Sequence, residues 1–221
     1  MTKNTKYSIY IPSKGRAENC KTAEILEEEG LDFKLVVEPQ DSEEYSKRFG
    51  KVRCVVMDKN DQGVAYVRNW IKTYSKAHGE DHHWQIDDNI GWFKVREKGK
   101  NLKSSASKCL SKVEEFYDSF ENIGIAGLAH TAFAFAYKVD FGVNKQVYSC
   151  VLIRNDLAIK WRPDTVEDTD YSLQVLMQDK FKWCTVLFYK ILIDKAKTMS
   201  MSGGNTDLEY KKGGREKRSL G

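Results

Sequence analysis

Residues 82–89, HHWQIDDN, join a short run with the apolar Trp84 and Ile86 to two carboxylates and an amide, Asp87, Asp88 and Asn89. The run is short and β-rich, so it predicts a buried strand over 82–86. In open α/β sheets, ligands bind outside the carboxyl ends of the strands. We therefore expect a functional site where this strand ends.

Short β-rich runs alternate with helical patterns on both sides of this segment, which indicates an α/β layered domain. The predicted strands outside it cover 7–11, 33–38, 52–57, 124–139 and 146–153. The predicted helices cover 17–29, 64–76 and 168–179, and a further helix begins near residue 106. No repeat or long linker divides the chain, so we expect a single domain.

The chain has 221 residues, 41% of them hydrophobic and 12% aromatic. This composition excludes collagen-like and disordered chains, and no apolar run approaches the roughly 20 residues of a membrane helix. The five cysteines are widely spaced and form no CxxC pair, so we expect neither disulfides nor a structural zinc site. The first residues lack the apolar stretch of a secretory signal, so we expect a cytoplasmic location, in the host cytoplasm for a viral protein.

The formal net charge of +4 hides an uneven distribution. Residues 24–44 hold nine acidic side chains and one basic one, whereas residues 94–112 hold seven basic side chains and one acidic one. Such asymmetry favours a face that attracts polyanions. Solvated helix faces are the structural alternative.

Two clusters have the residue types of phosphate-binding sites. The first follows the strand over 7–11 and precedes a helix: Pro12, Ser13, Lys14, Gly15 and Arg16. It matches neither GxGxxG nor the Walker pattern, which disfavours dinucleotides and a P-loop. The second is the turn at Gly63 with Arg68 in the following helix, where Arg68 can reach a diphosphate. An ordinary turn and a surface ion pair are the alternatives.

The cluster Asp87–Asp88–Asn89 ends an apolar strand with side chains that repel one another and are costly to desolvate. A divalent cation explains this placement, because hard oxygen ligands suit Mg²⁺ or Mn²⁺. An Asx-type turn is the alternative.

A fourth cluster places Glu167, Asp168 and Asp170 at the start of a predicted helix. Acids in a first turn favour the helix dipole, so capping is one interpretation. The cluster holds more carboxylates than capping requires, and one of them can act as a general base toward a hydroxyl.

Two aromatic positions complete the candidates. His130 interrupts an apolar run and is either a satisfied core histidine or part of an acceptor pocket. Trp92 follows the acidic motif and opens the basic segment, a combination that can stack an unpaired base.

Taken in chain order, these clusters resemble the nucleotide-sugar-dependent glycosyltransferases of the GT-A fold over roughly residues 6–180. IYIPSKGR is similar to the first strand and nucleotide-binding turn of that group, and DQGVAYVRNWI to its G-x-x-x-A-R-N helix, with Val67 where Ala is usual. WQIDDN resembles the metal-binding DxD strand end, and RPDTVEDTDYSL the later E-D motif. The resemblance implies a GT-A-like domain over 1–202, with a mixed, mostly parallel sheet flanked by helices, and a Gly-rich basic tail over 203–221.

The resemblance further implies a nucleotide-sugar donor of the uridine type and a divalent metal, Mn²⁺ or Mg²⁺. The implied donor-binding residues are Pro12, Ser13, Lys14, Arg16, Glu38, Gly63, Arg68 and Asp87. The implied metal ligands are Asp87, Asp88 and Asn89, with Asn in place of the usual acid, and a further ligand from Asn205 or Asp207. Asp168 or Glu167 is implied to be the catalytic base of an inverting enzyme, or to orient the acceptor in a retaining one.

Within that group, the chain is similar to the phage-type DNA-base glycosyltransferases associated with TET/JBP oxygenases, which glycosylate the hydroxymethyl group of a modified pyrimidine. The similarity implies double-stranded DNA carrying such bases, for example 5-hydroxymethylcytosine, as the partner. The implied acceptor contacts are Trp92, Lys94, Arg96, Lys98 and His130. No membrane partner is implied, and nothing in the sequence specifies an oligomeric state.

Two other functions use the same residue types. A metal-dependent nuclease or nucleotidyltransferase needs carboxylates and a nearby lysine, and no such lysine follows RPDTVED. A nucleic-acid-binding module without catalytic activity needs only the basic segment, with its acids serving as helix caps.

Overall fold

The computed structural model describes residues 5–134, 137–163 and 166–196. Its strands are β1 Ser8–Pro12, β2 Lys34–Val37, β3 Cys54–Val56, β4 His82–Ile86, β5 Ile90–Glu97, β6 Lys100–Ser104, β7 Ile123–His130, β8 Phe141–Val143, β9 Cys150–Arg154 and β10 Cys184–Lys195. Its helices are α1 Lys21–Glu28, α2 Ser42–Phe49, α3 Val64–Ala77, α4 Ala106–Asp118, α5 Thr131–Ala134 and α6 Glu167–Met177.

All of these strands form one mixed sheet in the order β3-β2-β1-β4-β9-β7-β10-β5-β6, and β8 also pairs with β10. The neighbours from β3 to β4 are parallel, as are β7 and β10, whereas β9 runs antiparallel to both β4 and β7. Because β1, β2 and β4 are parallel, their carboxyl ends lie at one edge of the sheet. This arrangement confirms the predicted mixed α/β fold.

Helices cover both faces of the sheet, as the alternation of side chains along β1 requires. Ile9 and Ile11 belong to a core that includes Leu26 of α1 and Leu110 of α4. The intervening Tyr10 packs with Val36, Met57 and Ile71 of α3 on the opposite face. Both layers are buried, so the carboxyl ends of the strands are packed on both faces of the sheet.

Three segments differ from the prediction. Residues 94–104 of the basic segment, where no strand was predicted, form most of an antiparallel hairpin of β5 and β6 at the sheet edge. Charged side chains are common on edge strands because they discourage further pairing. Helix α2 was not predicted, and the predicted strand over 124–139 ends at His130, where α5 begins.

The remaining predictions fall partly outside the described residues. The domain boundary at residue 202, the tail over 203–221 and the candidate ligands Asn205 and Asp207 lie there. All five cysteines are free, as their spacing predicts. Within the described ranges, no helix has both the length and the apolar character needed to cross a bilayer.

Candidate functional site

The ends of β1 and β4 bring the first and third sequence clusters into contact. Ser13 follows β1, and its hydroxyl donates to Oδ2 of Asp88 at 2.7 Å. Arg16 Nη1 lies 3.2 Å from Oδ1 of the same carboxylate. Burial raises the pKa of Asp88, although the Ser13 hydrogen bond and the Arg16 charge act in the opposite direction. Asp88 therefore holds the turn after β1 in place.

Tyr45 of α2 completes this network and was missed by the sequence analysis. Its hydroxyl lies 2.6 Å from Ser13 Oγ and accepts a hydrogen bond from the backbone N–H of Arg16 at 2.9 Å. Tyr45 is fully buried. The available signal was the spacing of Tyr45 and Phe49, which are one helical turn apart in a polar segment and are the buried residues of α2.

Lys14 and Glu38 form a second link, between the ends of β1 and β2. Lys14 Nζ lies 3.1 Å from Glu38 Oε2 and also pairs with Asp61. Gln40 donates to the same Glu38 oxygen at 2.6 Å, and the backbone N–H of Gly15 donates to Asp41 Oδ2 at 2.9 Å. Lys14 thus pairs with two carboxylates. Glu38 is buried and anchors the turn after β1 through its ion pair with Lys14.

Gly63 and Arg68 position the third cluster. Gly63 precedes α3 with φ of +83°, a conformation that glycine adopts without strain. Arg68 is only 3% exposed, and its Nη2 donates to Asp87 Oδ1 at 2.9 Å. Gln85 of β4 donates to the Arg68 carbonyl at 3.0 Å. Arg68 is therefore a buried part of the site and not the surface ion pair usual for a helical arginine.

Asp87 is an ionised carboxylate between two cations. Burial by itself would raise its pKa, but Arg68 and Lys195 outweigh that effect and lower the pKa below the ordinary value of 3.8. Lys195, at the end of β10, places its Nζ 3.4 Å from Asp87 Oδ2. No motif in the sequence marks Lys195. It lies about 100 residues after Asp87 along the chain, and its position depends on the pairing of β10 with β5 in the sheet.

Asp168 lies on the other side of Arg68, in the first turn of α6. Its Oδ1 is 3.9 Å from Arg68 Nη2. Burial raises the pKa of Asp168 to about 6, the charges of Asp87 and Glu167 act in the same direction, and Arg68 opposes them. The neighbouring Asp170 instead pairs with Arg162, outside the site. Asp168 thus combines a near-neutral pKa with a position beside a cation.

A cleft of 680 Å³ opens at Asp168 and Lys195. Its lining includes His130, Tyr148, Ser149, Asp168 and Lys195. Burial lowers the pKa of His130 to about 4, so the imidazole is neutral at pH 7, and its ring centroid lies 5.0 Å from that of Tyr148. Asp168 of the fourth sequence cluster and His130 therefore share one cavity of the size of small-molecule sites.

The predicted acceptor contacts on β5 lie outside this cleft. Trp92 is half exposed, with the Lys103 ammonium 3.9 Å from its ring centroid. Lys94 pairs with Asp194, and Arg96 donates to the Ala134 carbonyl at 2.9 Å. Lys98 is exposed at the hairpin turn with φ of +49°. These residues form a surface beside the cleft.

Of the oxygen-bearing side chains after β4, only one carboxylate is placed to bind a divalent cation. Asp87 and Asp88 turn to different partners, so their carboxylates do not converge. Among residues 5–134, 137–163 and 166–196, no three His, Cys, Asp or Glu side chains form a metal-binding group. Asn89 Oδ1 is buried and accepts no hydrogen bond from any of the described residues. Mg²⁺ is commonly held by one or two carboxylates plus phosphates, so Asp87 would need the phosphate oxygens of a bound ligand to complete such a set.

Comparison with known protein families gives a match over most of the chain. The family model described as TET-Associated Glycosyltransferase matches residues 7–204. No curated protein is similar in sequence. Similar solved structures include A197 from STIV (11% identity, 85% of this chain and 83% of that chain, TM-score 0.48) and apo UDP-glucose pyrophosphorylase (8%, 98% and 98%, TM-score 0.48). A protein described as a nucleotide-diphospho-sugar transferase from Desulfovibrio desulfuricans G20 is a third (9%, 85% and 80%, TM-score 0.47). The family match includes every strand of the sheet and all the residues that line the cleft.

Proposed function

The chain belongs to the TET-associated glycosyltransferase family, and from this premise we propose the substrates and residue roles of its reaction. It transfers a hexosyl or pentosyl group from a uridine-type nucleotide sugar to the hydroxymethyl group of a modified pyrimidine in DNA. The observation that carries the proposal is the position of Arg68 between two carboxylates of different character, Asp87 and Asp168.

The donor diphosphate lies at the carboxyl edge of the sheet in this proposal. Arg68 and Lys195 face this position, and Arg16 lies beside it on the turn after β1. A guanidinium binds phosphate oxygens bidentately and stabilises the negative charge that develops as the nucleoside diphosphate departs. Ser13 and Glu38 keep the turn after β1 in the conformation that receives the nucleotide.

A divalent metal, when bound at Asp87, supplies a second positive charge to the leaving group. Asp87 is suited to hold it because its low pKa keeps it ionised at neutral pH. Roles for Asp88 and Asn89 as direct ligands stay a prediction. Asp88 serves the turn after β1 through Ser13 and Arg16.

Asp168 receives the proton of the acceptor hydroxyl in this proposal. With a pKa of about 6 it is mostly ionised at pH 7 and remains basic enough to accept a proton. His130 is neutral and lies in the same cleft, where it can orient the acceptor base by a hydrogen bond. Glu167 contributes by its charge, which helps to keep the pKa of Asp168 high.

Donor binding can be tested without knowledge of the acceptor. Nucleotide sugars with Mn²⁺ are expected to raise the melting temperature of the wild-type protein, because a ligand that binds the folded state stabilises it. Asp168→Asn should keep this rise and lose sugar transfer to hydroxymethylated DNA. Asp170→Asn is the matched control, since it changes a neighbouring acid that pairs with Arg162. No stabilisation by any uridine, cytidine, guanosine or thymidine diphosphate sugar would contradict the donor assignment.

A further inference from the structure

A second groove opens where β10 changes its pairing partner from β8 to β5. Residues 186–188 pair with β8 and residues 191–195 pair with β5. Between these two stretches, the Asp140 carbonyl accepts the backbone N–H groups of Tyr189 and Lys190 at 2.8 and 3.3 Å. The groove has a volume of 1160 Å³, and Tyr137 lines both it and the 680 Å³ cleft that contains Asp168. We call it the basic groove.

The charges of the basic groove come from several separate elements. Its cationic side chains are Arg96, Lys98, Lys112, Lys138 and Lys190, and its acidic ones are Glu97 and Asp140. Lys190 pairs with Asp140. Lys98, Lys112 and Lys138 are exposed, and none of the three has a carboxylate within ion-pair distance among the described residues. Cations that converge on a concave surface without partners attract a polyanion.

The lining of the basic groove also carries aromatic rings. Phe116 lies 4.7 Å from Phe141 and 5.2 Å from Phe188 between ring centroids. At the junction with the cleft, Tyr137 is 43% exposed and stacks on Tyr189 at 3.8 Å with an interplanar angle of 3°. Aromatic rings beside a positively charged groove are the recurrent means of binding unpaired nucleic acid strands.

The position of Asp168 restricts how an acceptor base can reach it. Its side chain is 22% exposed and lies inside the 680 Å³ cleft, which has the volume of a small-molecule site. A base that remains stacked in a duplex cannot enter a cavity of this size. A base taken out of the stack can enter it.

We propose that the basic groove binds the unpaired strand next to the target nucleotide and leads that nucleotide past Tyr137 into the cleft at Asp168. The inference rests on the proposed function and adds the form in which the acceptor is bound: an extruded base on a locally unpaired strand. Lys98, Lys112 and Lys138 contact its phosphates, and Tyr137 stacks at the point where the strand turns into the cleft.

The test measures binding of fluorescent oligonucleotides that carry one hydroxymethylated pyrimidine. In the triple variant Lys98→Glu, Lys112→Glu and Lys138→Glu, affinity for the single strand should fall at least tenfold. The slope of log K against log salt should decrease by about 2, since each lost phosphate contact removes roughly 0.7 for single strands. The corresponding Lys→Gln triple variant, which removes charge without reversing it, should change affinity in the same direction.

The control is the triple variant Lys47→Glu, Lys51→Glu and Lys76→Glu, which changes the net charge equally at exposed positions on other elements. It should keep the affinity and salt slope of the wild type. Wild-type affinity in the groove variant, or equal losses in both triple variants, would overturn the proposal. A fluorescent base analogue beside the target in a duplex should brighten on binding, and an unchanged signal on a bound duplex would also overturn it. The rise in melting temperature of the wild type with nucleotide sugars tests the proposed function separately. A failure of the proposed function can therefore be distinguished from a failure of the basic-groove proposal.

Discussion

The buried Arg68 and the partly exposed Asp87 form an ion pair that joins the second turn of α3 to the end of β4, with Nη2 2.9 Å from Oδ1. Asp168 approaches the same guanidinium from α6 at 3.9 Å. One cation thus stands between a carboxylate kept ionised and a carboxylate whose pKa is raised. Such separation of two acids by environment is the usual basis for giving them different chemical roles.

Breaking this pair from one side should be costly. Arg68→Met leaves Asp87 with Lys195 as its cationic partner, and we expect a loss of about 3–5 kcal/mol in the free energy of unfolding. The double variant Arg68→Met with Asp87→Asn should lose less than the sum of the single variants. Urea unfolding of the four proteins measures the difference, and additivity within about 0.5 kcal/mol would contradict the coupling.

The pH dependence of sugar transfer should report Asp168. Its folded-state pKa is raised to about 6, so the basic form is lost as pH falls through that value. We expect kcat/KM to fall about tenfold per pH unit well below pH 6 and to level off above it. Asp168→Asn should lower kcat by roughly 10²- to 10⁴-fold. An unchanged acidic limb in that variant would assign the titration to another group.

Removal of divalent metal should lower the rate of transfer. Dialysis against a chelator is expected to suppress turnover, and Mn²⁺ or Mg²⁺ should restore it, because Asp87 and the donor diphosphate provide oxygen ligands. Asp87→Asn should require more metal for the same rate. Full turnover by the wild type in excess chelator would show that Arg68 and Lys195 alone neutralise the leaving group.

Loss of the Tyr45 hydroxyl should weaken binding of the nucleotide sugar more than it slows the chemical step. Tyr45→Phe removes one partner of Ser13 and the acceptor of the Arg16 N–H, which loosens the turn after β1. We expect a loss of about 1–2 kcal/mol in stability and a severalfold rise in KM for the nucleotide sugar, with kcat little changed. Steady-state kinetics with varied donor measures the split, and a fall in kcat alone would contradict it.

The sequence predicted the strand over 82–86 and the polar clusters at the strand ends because each has a local signal. The segment 82–86 carries the apolar Trp84 and Ile86 and ends abruptly in two acids, and three acids mark the first turn of α6. Parallel pairing then brings Ser13 and Asp88 to the same edge, as the topology of an open sheet requires.

Other parts of the site had no local signal. Most side chains of β6 are exposed and polar, so its segment lacks the apolar alternation that identifies a half-buried strand. Tyr45 and Phe49 are the buried residues of α2, too few for a clear amphipathic pattern. Lys195 reaches Asp87 through the pairing of β10 with β7 and β5, a long-range relationship that residue spacing does not contain.

The most direct test of the central claim is mass spectrometry of nucleosides from DNA incubated with the protein, a panel of nucleotide sugars and Mn²⁺. Hydroxymethylated DNA should yield a modified pyrimidine heavier by one sugar residue, with the wild type and with Asp170→Asn. Asp168→Asn should yield this product at least about a hundredfold more slowly, and unmodified DNA should yield none. Transfer by Asp168→Asn at the wild-type rate, or the absence of any glycosylated nucleoside with every donor, would contradict the claim.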